Sequence, residues 1–209
     1  LESLPHPRIA VLVNVRSPVE AAPGETAQVE KTLCRLGPRA YIGFTIVRAG
    51  LSPDFLLPLI TRAGTRRQIR LGLAHTTVTG SNVSLHPRLY PAAGRMLAEF
   101  AEKAWSQEIG LEFDCGFVPC MFPEGFLQSA GPACRLPAPE CSPILDILPR
   151  GAVAACYPLL EARLEPLPIS QGAAWLRSRF EEFLGRFRSI GIYRRCSACD
   201  FWRRAECSG

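Results

Sequence analysis

The chain of 209 residues is nearly without lysine: Lys31 and Lys103 are the only two, and its positive charge is carried by arginine. It also has no uninterrupted apolar run near the ~18 residues that a membrane-spanning helix requires. The opening LESLPHPRIAVLVNV lacks the basic start, apolar core and small-residue cleavage site of a secretory signal, so a cytoplasmic protein is expected. No glycine-rich phosphate loop, G-x-S-x-G elbow or H-E-x-x-H helix occurs, which removes the chemistries those motifs serve. With 47 % hydrophobic and 21 % charged residues the composition is globular rather than that of a disordered tail. A chain this long predicts one or two domains and can bury roughly 70 % of its unfolded surface, so it needs no metal merely to fold.

The formal net charge of +5 is modest. Residues 174–209 hold eight arginines against four acids, a bias that can attract nucleic acid or another anion. Taken as a composition bias without an aromatic-interleaved basic stripe, it reads as a solvated helix face, and nucleic acid is not expected as a partner.

The first part of the chain alternates short β-branched runs with amphipathic stretches. Strands are predicted over 9–15, 41–47, 68–74 and 109–114, the first as an apolar run buried on both faces. Helices are predicted from about 26 to 36, from Ser52-Pro53 to 61, and from about 91 to 105. Such strand–helix–strand repeats give an α/β fold with parallel strands and right-handed crossovers, and ligands at the C-terminal strand ends. Thr45, His75 and Asp114 would face that rim, each of them a residue type that also serves ordinary packing or loop roles. From about Pro119 the βα rhythm stops and proline, glycine and cysteine rise. Residues 144–157 read as a β-hairpin turning at Pro149-Arg150-Gly151. A helix follows from Ser170 to about 190, with Leu176, Phe180, Phe183 and Phe187 as its core stripe.

Nine cysteines, an odd number, point to metal ligation or redox chemistry rather than a disulfide framework. Cys134, Cys141 and Cys156 form one group around the hairpin; Cys196, Cys199 and Cys207 form another, opened by a C-x2-C knuckle. Two thiolates two residues apart reach one ion because a tight turn brings both sulfurs to one side. Thiolate-rich sets select zinc or iron–sulfur clusters. Cys115 and Cys120, in FDCGFVPCMF, read as additional ligands, substrate contacts or buried thiols. Cys34 reads as core.

The pattern Cys141-x9-Gly151-x4-Cys156, a gap, then Cys196-x2-Cys199-x7-Cys207 resembles the SPASM domain that follows the barrel of many radical S-adenosylmethionine (radical SAM) enzymes. The hairpin half fits the family spacing C-x9–15-G-x4-C. The second half departs from C-x2-C-x5-C-x3-C by its longer middle spacer and lacks the further cysteines. The resemblance implies the back part of a radical SAM partial (βα)6 barrel over residues 1–128 and a small Cys-rich SPASM domain with a β-hairpin and a helix over residues 129–209. It implies up to two auxiliary 4Fe–4S clusters, one on Cys134, Cys141 and Cys156 and one on Cys196, Cys199 and Cys207, each a thiolate short.

No C-x3-C-x2-C triplet is present, so the resemblance further implies a truncated chain whose full-length parent binds S-adenosylmethionine. This chain alone is not expected to cleave it. The expected role is that of a C-terminal portion acting in peptide or protein modification, with a peptide or protein substrate, no membrane, and a small reductant protein such as a flavodoxin or ferredoxin compatible with it. Tyr157 stands where the sulfatase-maturing branch has an acid, which argues against that branch. The alternative is a zinc-binding structural or interaction module without redox chemistry.

Overall fold

The computed structural model describes residues 10–76, 80, 83–131, 134–135, 145–148, 151–155, 167–185 and 191–207. The chain divides into two compact units, one of Leu1–Ala74 with Arg88–Pro137 and one of His75–Pro87 with Ala138–Gly209. Among the described residues no helix is long and apolar enough to cross a membrane.

The first unit is an α/β layer. Its strands are β1 (Val11–Val15), β2 (Ala40–Ile46), β3 (Gln68–Leu73), β4 (Gly110–Phe113) and β5 (Cys134–Arg135). All pair in parallel, in the order β1-β2-β3-β4-β5. Between them run helices α1 (Glu25–Leu36), α2 (Leu56–Ala63), α3 (Tyr90–Trp105) and α4 (Phe126–Ala130). Each helix is bounded by local chemistry. Glu25 and Arg35 complement the α1 dipole, and Gly37 donates its N–H to the Leu33 carbonyl. Ser52 accepts from the Asp54 N–H as expected, but what it caps is a 3-10 turn (Pro53–Phe55) that leads into α2. Pro91 sits in the first turn of α3, where its missing N–H costs nothing.

Consecutive parallel strands joined by right-handed crossovers carry their helices on one face. The burial follows. Ala40, Ile42, Phe44 and Ile46 of β2, Ile69, Leu71 and Leu73 of β3, and Leu111 and Phe113 of β4 are buried with Leu33, Leu56, Ile60, Leu97 and Phe100 of the helices. The α3 helix approaches closely because of Gly94: a Cβ there would stand 1.8 Å from the Met121 carbonyl oxygen. The segment after β4 is held by rings, Phe113 lying 4.9 Å from Phe117 and 5.4 Å from Phe122, and Phe122 stacking on Phe126 at 4.9 Å.

In the second unit β6 (Asp146–Ile147) pairs antiparallel with β7 (Ala152–Ala154), which pairs antiparallel with β8 (Leu167–Pro168). The hairpin turns as read from the sequence: Gly151 has φ +76° and its N–H donates to the Leu148 carbonyl at 2.8 Å. Helix α5 (Ala173–Gly185) lays Leu176 and Phe180 against Val153 and Ala155, with Leu145 at the edge of the cluster. The short helix α6 (Asp200–Arg203) follows.

Four readings are corrected. The βα rhythm does not stop at Pro119 but continues through α4 and β5. Strand β1 is not buried on both faces: among the described residues it pairs only with β2, and Asn14 is exposed and Val11, Leu12 and Val13 are half-buried. The α5 stripe takes Leu184 as a buried member while Phe183 is half-buried, and Phe187 lies outside the described residues. Cys34 is exposed, its neighbour Leu33 occupying the inward position of α1.

Candidate functional site

Period-two alternation gives each strand of the first unit a second face, opposite the helices. On β3 this face carries Gln68, Arg70 and Gly72, all half-buried between buried Ile69, Leu71 and Leu73. On β4 it carries Gly110 and Glu112, continued by Asp114. On β2 it carries Tyr41, Gly43 and Thr45. Strand register sets Asn14, Gly43, Arg70 and Glu112 at one level, followed by Arg135 of β5. Thr45 and Gly72 stand one level higher, and Asp114 joins them, its N–H donating to the Leu71 carbonyl at 2.8 Å. A parallel sheet is ordinarily apolar on both faces. Among the described residues this one presents a polar, largely half-buried face instead, and that face is the candidate site.

Arg70 is its centre. The guanidinium Nη2 donates to Asp114 Oδ2 at 3.0 Å and the side chain also bonds the Tyr41 hydroxyl, while its buried Nε has no partner among the described residues. Below it, Gln68 Nε2 donates to Glu112 Oε2 at 3.2 Å. Asp114 Oδ1 accepts the Cys115 N–H at 2.9 Å, and the carboxylate also bonds the Cys115 thiol. Partial burial pushes the Asp114 carboxyl up, but Arg70 and the Cys115 hydrogen bonds outweigh it and hold the group below its ordinary value. The hydrogen bond from Arg70 to Asp114 likewise raises Arg70, which stays a fixed cation.

Two glycines shape the surface. At Gly43 a Cβ would fall 2.2 Å from Asn14 Oδ1, so glycine there lets Asn14 lean over β2. At Gly72 a Cβ would meet Thr45 Oγ1 at 3.3 Å and nothing else nearer than the Thr45 Cα and Cβ, leaving a hollow in the strand beside Arg70.

Thr45 and Asp114 thus lie at one level of this face. His75, half-buried, belongs to the second unit. Sequence reading missed Tyr41, Gln68, Arg70 and Glu112; the signal was the alternation in QIRLGL and GLEF. Elsewhere in the first unit, a cavity of about 220 Å³ lies between α1 and α2, lined by Val15, Arg16, Glu25, Phe55, Leu59 and Arg62. Its charged rim is already engaged, Arg62 Nε and Nη2 reaching Glu30 at 2.7 and 3.2 Å.

The cysteines divide between the units. Cys115 and Cys120 are exposed, which overturns the buried-thiol reading of the pair. The backbone of Cys134 pairs with Leu111 in the first unit's sheet. Cys141 and Cys156 lie outside the described residues. Cys196 and Cys199 span one turn, the Cys199 N–H donating to the Cys196 carbonyl at 3.0 Å. Cys196 Sγ accepts the Tyr193 N–H at 3.3 Å. A Cβ at Gly191 would lie 2.7 Å from the same sulfur. Cys207 follows α6. Among the described residues no three His, Cys, Asp or Glu side chains gather into a metal-holding group. The described residues therefore do not complete the ligand set of a metal or cluster. Comparison with known protein families, characterised proteins and solved structures finds no match to this chain.

Proposed function

We propose that the chain is the C-terminal portion of a radical SAM/SPASM enzyme, carrying the back of a partial barrel and an auxiliary iron–sulfur unit that serve peptide or protein modification. The observation that supports this best is the strand order. Five consecutive parallel strands are the order of a barrel wall, whereas doubly wound sheets reverse order at a switch point. A wall of that kind, with its helices outside, leaves its polar inner face free for a substrate. The cysteine turn of the second unit supplies the second support, since a C-x2-C turn is the usual start of a thiolate site.

In this reading Thr45, Arg70, Glu112 and Asp114 line the substrate side of the wall. Arg70, pinned by Asp114 and Tyr41, offers a fixed positive charge, and Thr45 an exposed hydroxyl. Auxiliary clusters, where bound, would supply electron transfer or a substrate-binding iron; Cys196, Cys199 and Cys207 are the described residues to which this reading assigns one. The full-length parent would bring S-adenosylmethionine.

The test is anaerobic reconstitution with iron and sulfide, followed by metal and sulfide analysis and EPR of the reduced protein. Roughly four to eight irons with matching sulfide per chain support the reading. Replacing Cys141 and Cys196 separately should then each remove one cluster. Stoichiometric zinc without sulfide or an EPR signal would replace it with the structural zinc module.

A further inference from the structure

We propose that the C-terminal segment Gly191–Cys207 is a binding surface for single-stranded nucleic acid, with Trp202 as its stacking platform and Arg194, Arg195 and Arg203 as its phosphate contacts. The inference uses none of the cysteines and stands apart from the iron–sulfur reading.

Its basis is a repeated triplet that composition alone conceals. An aromatic ring followed by two arginines occurs twice, as Tyr193-Arg194-Arg195 and as Trp202-Arg203-Arg204, with Phe201 preceding the second. The two triplets sit on the 3-10 turn (Arg194–Ala198) and on α6, which pack together, so the fold brings both into one small piece. All four arginines are exposed and the three rings are half-buried.

The rings and cations are already arranged as stacks. Arg195 lies over the Tyr193 ring with its Cζ 5.2 Å from the centroid, and Arg204 lies over Phe201 at 5.6 Å. Tyr193 is fixed from the other end, its hydroxyl donating to the Pro87 carbonyl at 2.5 Å. Trp202 differs: it has no ring or cation partner among the described residues. A half-exposed indole without a stacking partner, flanked by guanidiniums, offers a π-face to an incoming base.

Charge separates the candidates further. Arg194 and Arg195 have no carboxylate partner among the described residues, and Arg203 meets Asp200 only at 3.6 Å. Arg204 is engaged by Glu206 at 2.9 Å, which is why it is left out of the phosphate set. An acidic peptide would satisfy the arginines but has nothing to lay on Trp202. A duplex keeps its bases stacked inside, and α6, four residues long, offers one turn to a groove. A single strand uses both features, phosphates on the guanidiniums and splayed bases on the ring.

The test is fluorescence anisotropy of a labelled oligouridylate of about 12 nucleotides with the full chain, titrated at roughly 50 and 200 mM salt. Binding should quench Trp202 emission and weaken steeply with salt. Trp202→Ala should weaken it by roughly 5- to 100-fold, and Trp202→Phe should restore most of that. The Arg194→Ala/Arg195→Ala pair should lower the salt slope by about 0.7 per arginine. Circular dichroism of each variant separates loss of the surface from loss of the fold. The proposal is overturned by no binding at the lower salt, by folded Trp202→Ala binding as tightly as the parent, or by a duplex or polyglutamate competing as well as the single strand.

Discussion

At the scale of single residues, the Arg70–Asp114 pair decides how the open face behaves with pH. The Asp114 carboxyl lies below its ordinary value in the fold, so it contributes stability that is fully present above the unfolded value, about 4. That contribution is lost as pH falls through the lower, folded value. Both side chains are about a third exposed, at 32 % and 37 %, so the contribution at neutral pH is modest, about 0.5–1 kcal/mol. Urea midpoints of the parent and of Asp114→Asn should differ near pH 7 and converge in acid, below the folded value; a difference independent of pH would remove the ion pair as its cause. Gly94 makes a harsher prediction. A Cβ placed 1.8 Å from the Met121 carbonyl forces α3 and the Pro119–Met121 turn apart. Gly94→Ala should cost about 1–3 kcal/mol or more, read as a lower thermal midpoint with loss of near-ultraviolet signal from the adjoining phenylalanines.

At the scale of elements, the described residues of the second unit meet in one small apolar cluster. Phe180, fully buried, joins Leu176 to Val153 and Ala155 of the hairpin. Phe180→Ala should destabilise it by about 3–5 kcal/mol, and hydrogen exchange should rise first over Ala152–Ala154 and Ala173–Gly185. An equal rise throughout the β1–β4 sheet would show instead that the two units open as one. The same elements show what could be read in advance. Strands β2, β3 and β4 were legible within a residue because short apolar runs between turn residues have few alternatives. The hairpin was legible because glycine at φ +76° is what such a turn requires. β5 was not, since two residues carry no periodicity and their pairing is set by β4. The open face was half legible. Ligands were expected at the C-terminal strand ends, so attention went to Thr45 and Asp114 rather than to Arg70, whose neighbours Ile69 and Leu71 already showed the alternation. The arginines of residues 194–195 and 203–204 were read as net charge, so the stacks that two of them form on Tyr193 and Phe201 were not seen.

At the scale of the whole molecule, the chain passes between its two units at 74/75, 87/88 and 137/138, so neither unit is a continuous stretch of sequence. Leu85, 4 % exposed, lies in the short piece that the second unit takes from the middle of the first. A chain cut after Pro137 should therefore expose that piece and associate in size-exclusion chromatography. Replacing 75–87 in the same fragment by a short glycine–serine linker should return it to a monomer, while equal behaviour of the two fragments would count against the discontinuous division.

That arrangement also sets a waiting time during synthesis. Pro87 leaves the ribosome 106 residues before Tyr193, the residue whose hydroxyl it accepts. At translation rates of ~5–20 residues per second the delay is roughly 5–20 s. The β1–β4 sheet, built from neighbouring segments, is complete early in that interval. Residues 75–87 must spend it joined at both ends to the first unit and without their later partner.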